Sequence, residues 1–97
     1  MRIVFSSGAK RDAAEAVRHY LAEAGAVHAS GFERELVQAL DLIARLPDIG
    51  TRGMRDTRAV PLRRYPFSIH YRVAGDALFV IAVAHHRRRP GYWATRT

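Results

Sequence analysis

The chain has 97 residues and a mass of 10.9 kDa, the size of one small domain, because dividing it would leave two cores too small to be stable. Apolar residues make up 48%, enough for a packed core and too many for wholesale disorder, and the absence of cysteine excludes a disulfide framework, a zinc finger and a thiol nucleophile. The formal charge is +7, from 16 Lys+Arg against 9 Asp+Glu, and Lys10 is the only lysine. Residues 1–50 carry six basic and seven acidic side chains, whereas residues 51–97 carry ten arginines and two acids. Charge segregated in this way points to a face for phosphates or acidic protein. The longest apolar run, Ala77 to Ala84, is far short of the roughly 20 residues that span a bilayer. Met1 to Phe5 is too short for a signal h-region, so a soluble, cytoplasmic protein with no membrane segment is expected.

In chain order, Arg2 to Phe5 reads as a short strand ending at Ser6-Ser7-Gly8, a helix N-cap signal. Ala13, Val17, Tyr20, Leu21 and Ala24 recur at three- and four-residue steps, which predicts a helix over Ala9–Ala24 closed by Gly25. Ser30 to Glu33 has capping-box spacing and predicts the start of a second helix. Phe32, Leu36, Leu40 and Ile43 form its apolar face, and Leu46-Pro47 ends it. A short connection favours an antiparallel hairpin. Pro47 to Thr57 reads as irregular, with Met54 as a core residue and Arg52 and Arg55 solvated.

The period then changes from about 3.6 to 2. Arg58 to Arg64 is a predicted strand, and Pro61 within it argues for an edge position. Phe67 to Val73 alternates, with Phe67, Ile69, Tyr71 and Val73 on one face and Ser68, His70 and Arg72 on the other. Ala74-Gly75-Asp76 is a turn, and Leu78 to His85 is apolar enough for a central strand covered on both faces. By strict alternation His85 shares a face with Ile81 and Val83, and His86 with Ala82 and Ala84. The expected fold is α+β, a single domain over residues 1–97. Its order is β-α-α-β-β-β, with a largely antiparallel sheet packed against the helix hairpin. The tail from Arg87 to Thr97 is basic and aromatic, without a clear period.

Two C-terminal segments carry a resemblance. Arg63 to Val73 reads Arg-Arg-Tyr-Pro-Phe-Ser-Ile-His-Tyr-Arg-Val, and Ala82 to Trp93 contains His85-His86-Arg87-Arg88-Arg89-Pro90-Gly91-Tyr92-Trp93. Together with the helix ending before Leu46-Pro47-Asp48-Ile49-Gly50, they resemble the RelE/ParE superfamily of type II toxin–antitoxin systems, in particular the ParE, or plasmid-stabilisation, branch. The resemblance implies a toxin held inactive in a hetero-oligomer with a cognate antitoxin. That antitoxin is expected to have an acidic or amphipathic C-terminal segment, with ribbon-helix-helix proteins among the candidates. ParE-like members are associated with inhibition of DNA gyrase, and RelE-like members are ribosome-dependent mRNA endonucleases.

Cutting RNA internally needs a base for the 2′-OH, an acid for the leaving oxygen and cations on the developing charge. By resemblance, Arg87 or Arg88 and Tyr92 supply the tail side of such a site. Of His85 and His86, only one of which can face it, His85 is the candidate for proton transfer, and it reads equally as a hydrogen-bonded strand-end residue. The strand side is poorly matched, since no lysine follows Lys10 and Ser68 occupies the place of a strand arginine. Arginine clamps phosphate but shuttles protons poorly. The branch that binds gyrase, with no hydrolysis of its own, is therefore the main expectation, and the endonuclease is the alternative. Candidate contacts to an anionic target are Arg58, Arg63, Arg64, Arg72, Arg87, Arg88, Arg89, Tyr92 and Trp93, with the alternative that Tyr92 and Trp93 fold back on the sheet, the reading preferred for Trp93. Asp12, Glu15 and Glu23 read as a solvated helix face. No residues have metal-ligand spacing, and no metal or cofactor is expected.

Overall fold

Ser6 closes the first strand and opens the first helix. In the computed structural model, which describes residues 1–96, β1 spans Arg2–Phe5 and α1 spans Ser7–Glu23. The Ser6 hydroxyl accepts from the Ala9 amide at 3.0 Å and donates to the Ile81 carbonyl at 3.1 Å. α2 spans Ala26–Arg45, so it begins at Ala26 and not at the Ser30 signal. Gly25 makes the earlier start possible. Its φ of 93° is costly for any residue with a Cβ. Its amide bonds to the Tyr20 carbonyl at 2.8 Å and its own carbonyl accepts from Ala29 at 3.2 Å. One glycine thus ends one helix and starts the next. Phe32, Leu36, Leu40 and Ile43 are buried as their spacing implies, whereas Leu21 on α1 and Ala24 just after it are exposed.

The sheet contains β1, β2 (Thr51–Arg52), β3 (Arg58–Pro61), β4 (Phe67–Ala74) and β5 (Ala77–His85), in spatial order β1-β5-β4-β3-β2. β1 pairs parallel with β5, and the other pairs are antiparallel. The two-residue β2 lies in the stretch expected to be irregular. It pairs only with Arg58 and Ala59, which leaves Pro61 without an outer neighbour and explains how proline is tolerated there. β3 ends at Pro61, so Arg63 and Arg64 fall in the bend before β4 and not in a strand. Met54 is exposed in a single turn of 3-10 helix over Met54–Asp56 and is no part of the core.

Phe67, Ile69, Tyr71, Leu78, Val80 and Val83 pack on the helices, and a second cluster of Ile81, Ala82, Ala84 and Trp93 lies on the opposite face of the sheet. A bulge joins the two. His70 pairs with Ala82 and Tyr71 with Val80, so Ile81 is the extra residue and joins Ala82 on the outer face. Strict alternation, which placed Ile81 with Val83, fails at this point.

Two polar side chains fix the sheet to what surrounds it. The buried Tyr71 hydroxyl donates to the Pro47 carbonyl at 2.6 Å and accepts from the Gly50 amide at 3.0 Å, which pins the turn after α2. Asp12, expected on a solvated face, is buried instead. β1 stops opposite Val80, so beyond it β5 has no strand on that side. Asp12 Oδ2 takes the Val83 amide at 3.0 Å, the Tyr92 hydroxyl at 3.2 Å and Arg96 Nη1 at 2.8 Å, while Oδ1 takes Arg96 Nη2 at 3.2 Å. Arg96 Nη1 also reaches the Ile81 carbonyl at 3.1 Å. Gly8 lets the guanidinium lie there, since a Cβ at that position would meet Arg96 Nε at 2.6 Å. Among the described residues no helix is long and apolar enough to cross a membrane.

Tyr71→Phe strands the buried Gly50 amide and a half-buried carbonyl at Pro47 and is expected to cost about 1–3 kcal/mol, read as a lower urea midpoint at unchanged m-value. Asp12→Asn removes the counter-charge of Arg96 and leaves Val83, Tyr92 and Arg96 to share one amide oxygen, and is expected to cost about 2–4 kcal/mol. The same substitution loosens the tail, so the emission of Trp93, the single tryptophan, shifts to the red before global unfolding.

Candidate functional site

The sheet face turned away from the helices is the floor of a cleft of about 450 Å³. Its walls are β2, the turn at Met54 and the tail from Arg88 to Trp93, and Ser68, His70 and Ala84 lie at its base. The tail runs through consecutive turns over residues 90–95, and Asp12 holds it from behind. Trp93 is 5% exposed and lies against His70, with ring centroids 4.6 Å apart. It was a candidate binding ring, and its burial in the outer cluster removes it from contact with a partner. Tyr92 also folds back. Its hydroxyl is bound to Asp12, and the Arg88 guanidinium covers its ring at 3.8 Å.

The candidate arginines separate into different places. Arg58 Nη1 donates to the carbonyls of Asp48 and Gly50 at 3.1 and 2.9 Å, and Nη2 lies 3.7 Å from the Asp48 carboxylate. Arg72 donates to the Arg55 carbonyl through Nε and Nη2, at 3.3 and 2.9 Å. Both hold backbone and lie outside the lining of the cleft. Arg63 and Arg64 lie beside α2, in a separate groove. Arg87, Arg88 and Arg89 are exposed in the turn after β5, and Arg88 and Arg89 line the cleft. Arg52, expected to be merely solvated, joins them because β2 carries it to the opposite wall. Three guanidiniums around the cleft suit an anionic surface that offers oxygens in pairs.

The histidines divide by face. His85 lies opposite Phe67, meets its ring edge-on at 5.0 Å on the helix side and accepts the Arg87 amide on Nδ1 at 3.0 Å. Its pKa is lowered, by burial first and then by Arg87. His86, on the cleft side, has Nε2 2.9 Å from the Ser68 hydroxyl. Of the two adjacent histidines, only one of which can face the cleft, it is His86 that does so and not the candidate His85. Burial, then repulsion from His86, lowers the His70 pKa, partly offset by Asp12. The Tyr92 phenol is raised, by burial first and then by Asp12. A raised phenol already bound to a carboxylate is a poor proton donor or acceptor near neutrality. Among the described residues no group of three or more His, Cys, Asp or Glu side chains could hold a metal ion.

Because the folded state resists protonation of His70, the unfolded chain takes up more protons as pH falls through the ordinary histidine range near 6.5. Stability is therefore full above that range and declines below it. The urea midpoint is expected to fall between pH 7.5 and 5.5, and His70→Gln should reduce that fall, with His85 accounting for part of what remains.

The sequence matches the profile of the family described as ParE toxin of type II toxin–antitoxin system, parDE, over residues 3–90. No curated protein sequence matches the chain. Among solved structures, one described as the chromosomal ParDE TA system from P. aeruginosa superposes with a TM-score of 0.77 at 20% identity, covering 88% of this chain and 95% of that one. The isolated E. coli RelE toxin superposes with a TM-score of 0.56 at 22% identity, covering 94% of this chain and 89% of that one. At these identities the likeness is one of fold, and the RelE/ParE fold expected from the two C-terminal motifs is the one observed. The family profile goes further: the chain belongs to the ParE toxin family of type II toxin–antitoxin systems.

Proposed function

We propose that this toxin inhibits DNA gyrase by binding it through the cleft rimmed by Arg52, Arg88 and Arg89, and that a cognate antitoxin neutralises it. The observation that carries the proposal is the use to which the cleft's aromatic and titratable groups are put. The Tyr92 hydroxyl is bound by Asp12, and His70 is packed on Trp93 with its pKa lowered. What faces outward, beside the exposed His86 imidazole, is guanidinium, which holds its charge at every working pH. Such a surface binds and orients an anionic partner. The solved structure described as a ParDE system supports a partnership with an antitoxin, and the charge of the chain favours an acidic or amphipathic segment on that partner. Gyrase as target and a paired antitoxin both imply action in the cytoplasm.

One observation favours a second reading, that of a RelE-like ribosome-dependent mRNA endonuclease. The Ser68 hydroxyl and His86 Nε2 lie 2.9 Å apart, beside Arg88 and Arg89. His86, and not His85, would then serve as base or acid, and the arginines would clamp the scissile phosphate.

Supercoiling by purified gyrase separates the two. The chain is expected to inhibit it near stoichiometry, and the Arg88→Gln/Arg89→Gln double variant to weaken inhibition by about tenfold or more, as the loss of charge-assisted hydrogen bonds implies. His86→Ala should inhibit as the wild type does. Unimpaired supercoiling, with cleavage of translated message that His86→Ala abolishes, would establish the endonuclease instead.

A further inference from the structure

On the helix side of the molecule, α2 and the bend between β3 and β4 enclose a polar groove of about 610 Å³. Three guanidiniums, Arg34, Arg63 and Arg64, and the Glu35 carboxylate line it. Glu35 Oε1 accepts from the backbone amides of both Arg63 and Arg64, the latter at 2.8 Å. Consecutive N–H groups converging on one oxygen form an anion nest, and here the chain's own carboxylate fills it. The ion pairs among the described residues are made by Arg2, Arg58 and Arg96, so Arg34, Arg63 and Arg64 are all unpaired. Three cations around one carboxylate leave the groove with two positive charges in excess.

We infer that this groove docks an acidic peptide segment, one of whose carboxylates exchanges with Glu35 at the two amides while others pair with Arg34, Arg63 and Arg64. Three features select a peptide carboxylate. The nest already holds a carboxylate, so its two donors are set for that group. The exchange replaces one carboxylate by another and preserves both amide hydrogen bonds. Gln38, also on the wall, offers an amide that suits a peptide backbone. Glu35 meanwhile keeps a negative charge in the groove, which opposes a phosphodiester chain that carries a charge at every unit. The groove is distinct from the tail cleft, and the inference does not depend on the identity of the toxin's target.

The test is a titration of the full, ¹⁵N-labelled chain with an oligoglutamate peptide, an oligoglutamine peptide of the same length and an oligothymidylate. Oligoglutamate is expected to move the amide resonances of Arg63 and Arg64, and oligoglutamine to leave them still. Glu35→Gln removes the competing charge but keeps an acceptor for the two amides, and it is expected to tighten oligoglutamate binding about two- to fivefold, the scale of a partly exposed ion pair. Arg34→Gln, on the exposed face of α2, leaves the nest intact and is expected to weaken binding by a similar factor. The inference is overturned if the Arg63 and Arg64 amides stay still under oligoglutamate, or if Glu35→Gln weakens binding. Oligothymidylate binding there as tightly as oligoglutamate would overturn it too, in favour of a phosphate reader.

Discussion

A single buried carboxylate determines where the C-terminal tail of this toxin lies. Asp12 projects from α1 at the point where β1 has ended and β5 continues alone, and it gathers donors from the β5 backbone, Tyr92 and Arg96. A buried carboxylate without partners would be expensive. Here both oxygens are bound, so the same bonds that satisfy the charge also tie α1, the open edge of β5 and the tail to one another. The direction of the tail, the burial of Trp93 and the position of Arg88 over Tyr92 all follow from that junction.

The consequence for function is a division of labour among the arginines. Arg58 and Arg72 spend their guanidiniums on backbone carbonyls and stiffen the segment from the end of α2 to β3. Arg52, Arg88 and Arg89 surround the cleft over the outer sheet face, and Arg34, Arg63 and Arg64 surround the groove beside α2. The charge segregation in the sequence therefore becomes two separate basic surfaces on opposite sides of the sheet. Arg34 shows that the segregation is not complete, because a residue of the nearly neutral first half completes the second surface. Surfaces built of arginine hold and orient anions without trading protons.

Much of the fold was legible because its signals are local. The apolar spacing of Phe32, Leu36, Leu40 and Ile43 and the alternation through Phe67, Ile69 and Tyr71 need only a few neighbouring residues to be read. The two C-terminal motifs were equally legible, and they led to the correct family. The errors share another origin. Gly25 overrode the capping-box signal at Ser30 through a backbone conformation that its neighbours do not announce. β2 is two residues long and exists only as a partner of β3. The bulge at Ile81 appears only once β4 and β5 are paired, and it is invisible to a count by twos. Asp12 is the clearest case, since its partners lie 71 to 84 residues away and nothing in the first helix distinguishes it from Glu15 or Glu23. The site was legible in its residue types but not in its grouping, because pairing and tail docking decide which arginines share a surface.

The most direct test of this account is hydrogen exchange at the Val83 amide. That group faces away from β4, on the stretch of β5 that β1 does not reach, and its partner is the Asp12 carboxylate. The account predicts that Val83 exchanges as slowly as the paired amides at the centre of β4 and β5, which open only with global unfolding. Exchange at the rate of an exposed loop amide, while the neighbouring strand amides stay protected, would show that Asp12 does not hold the junction and would contradict the account.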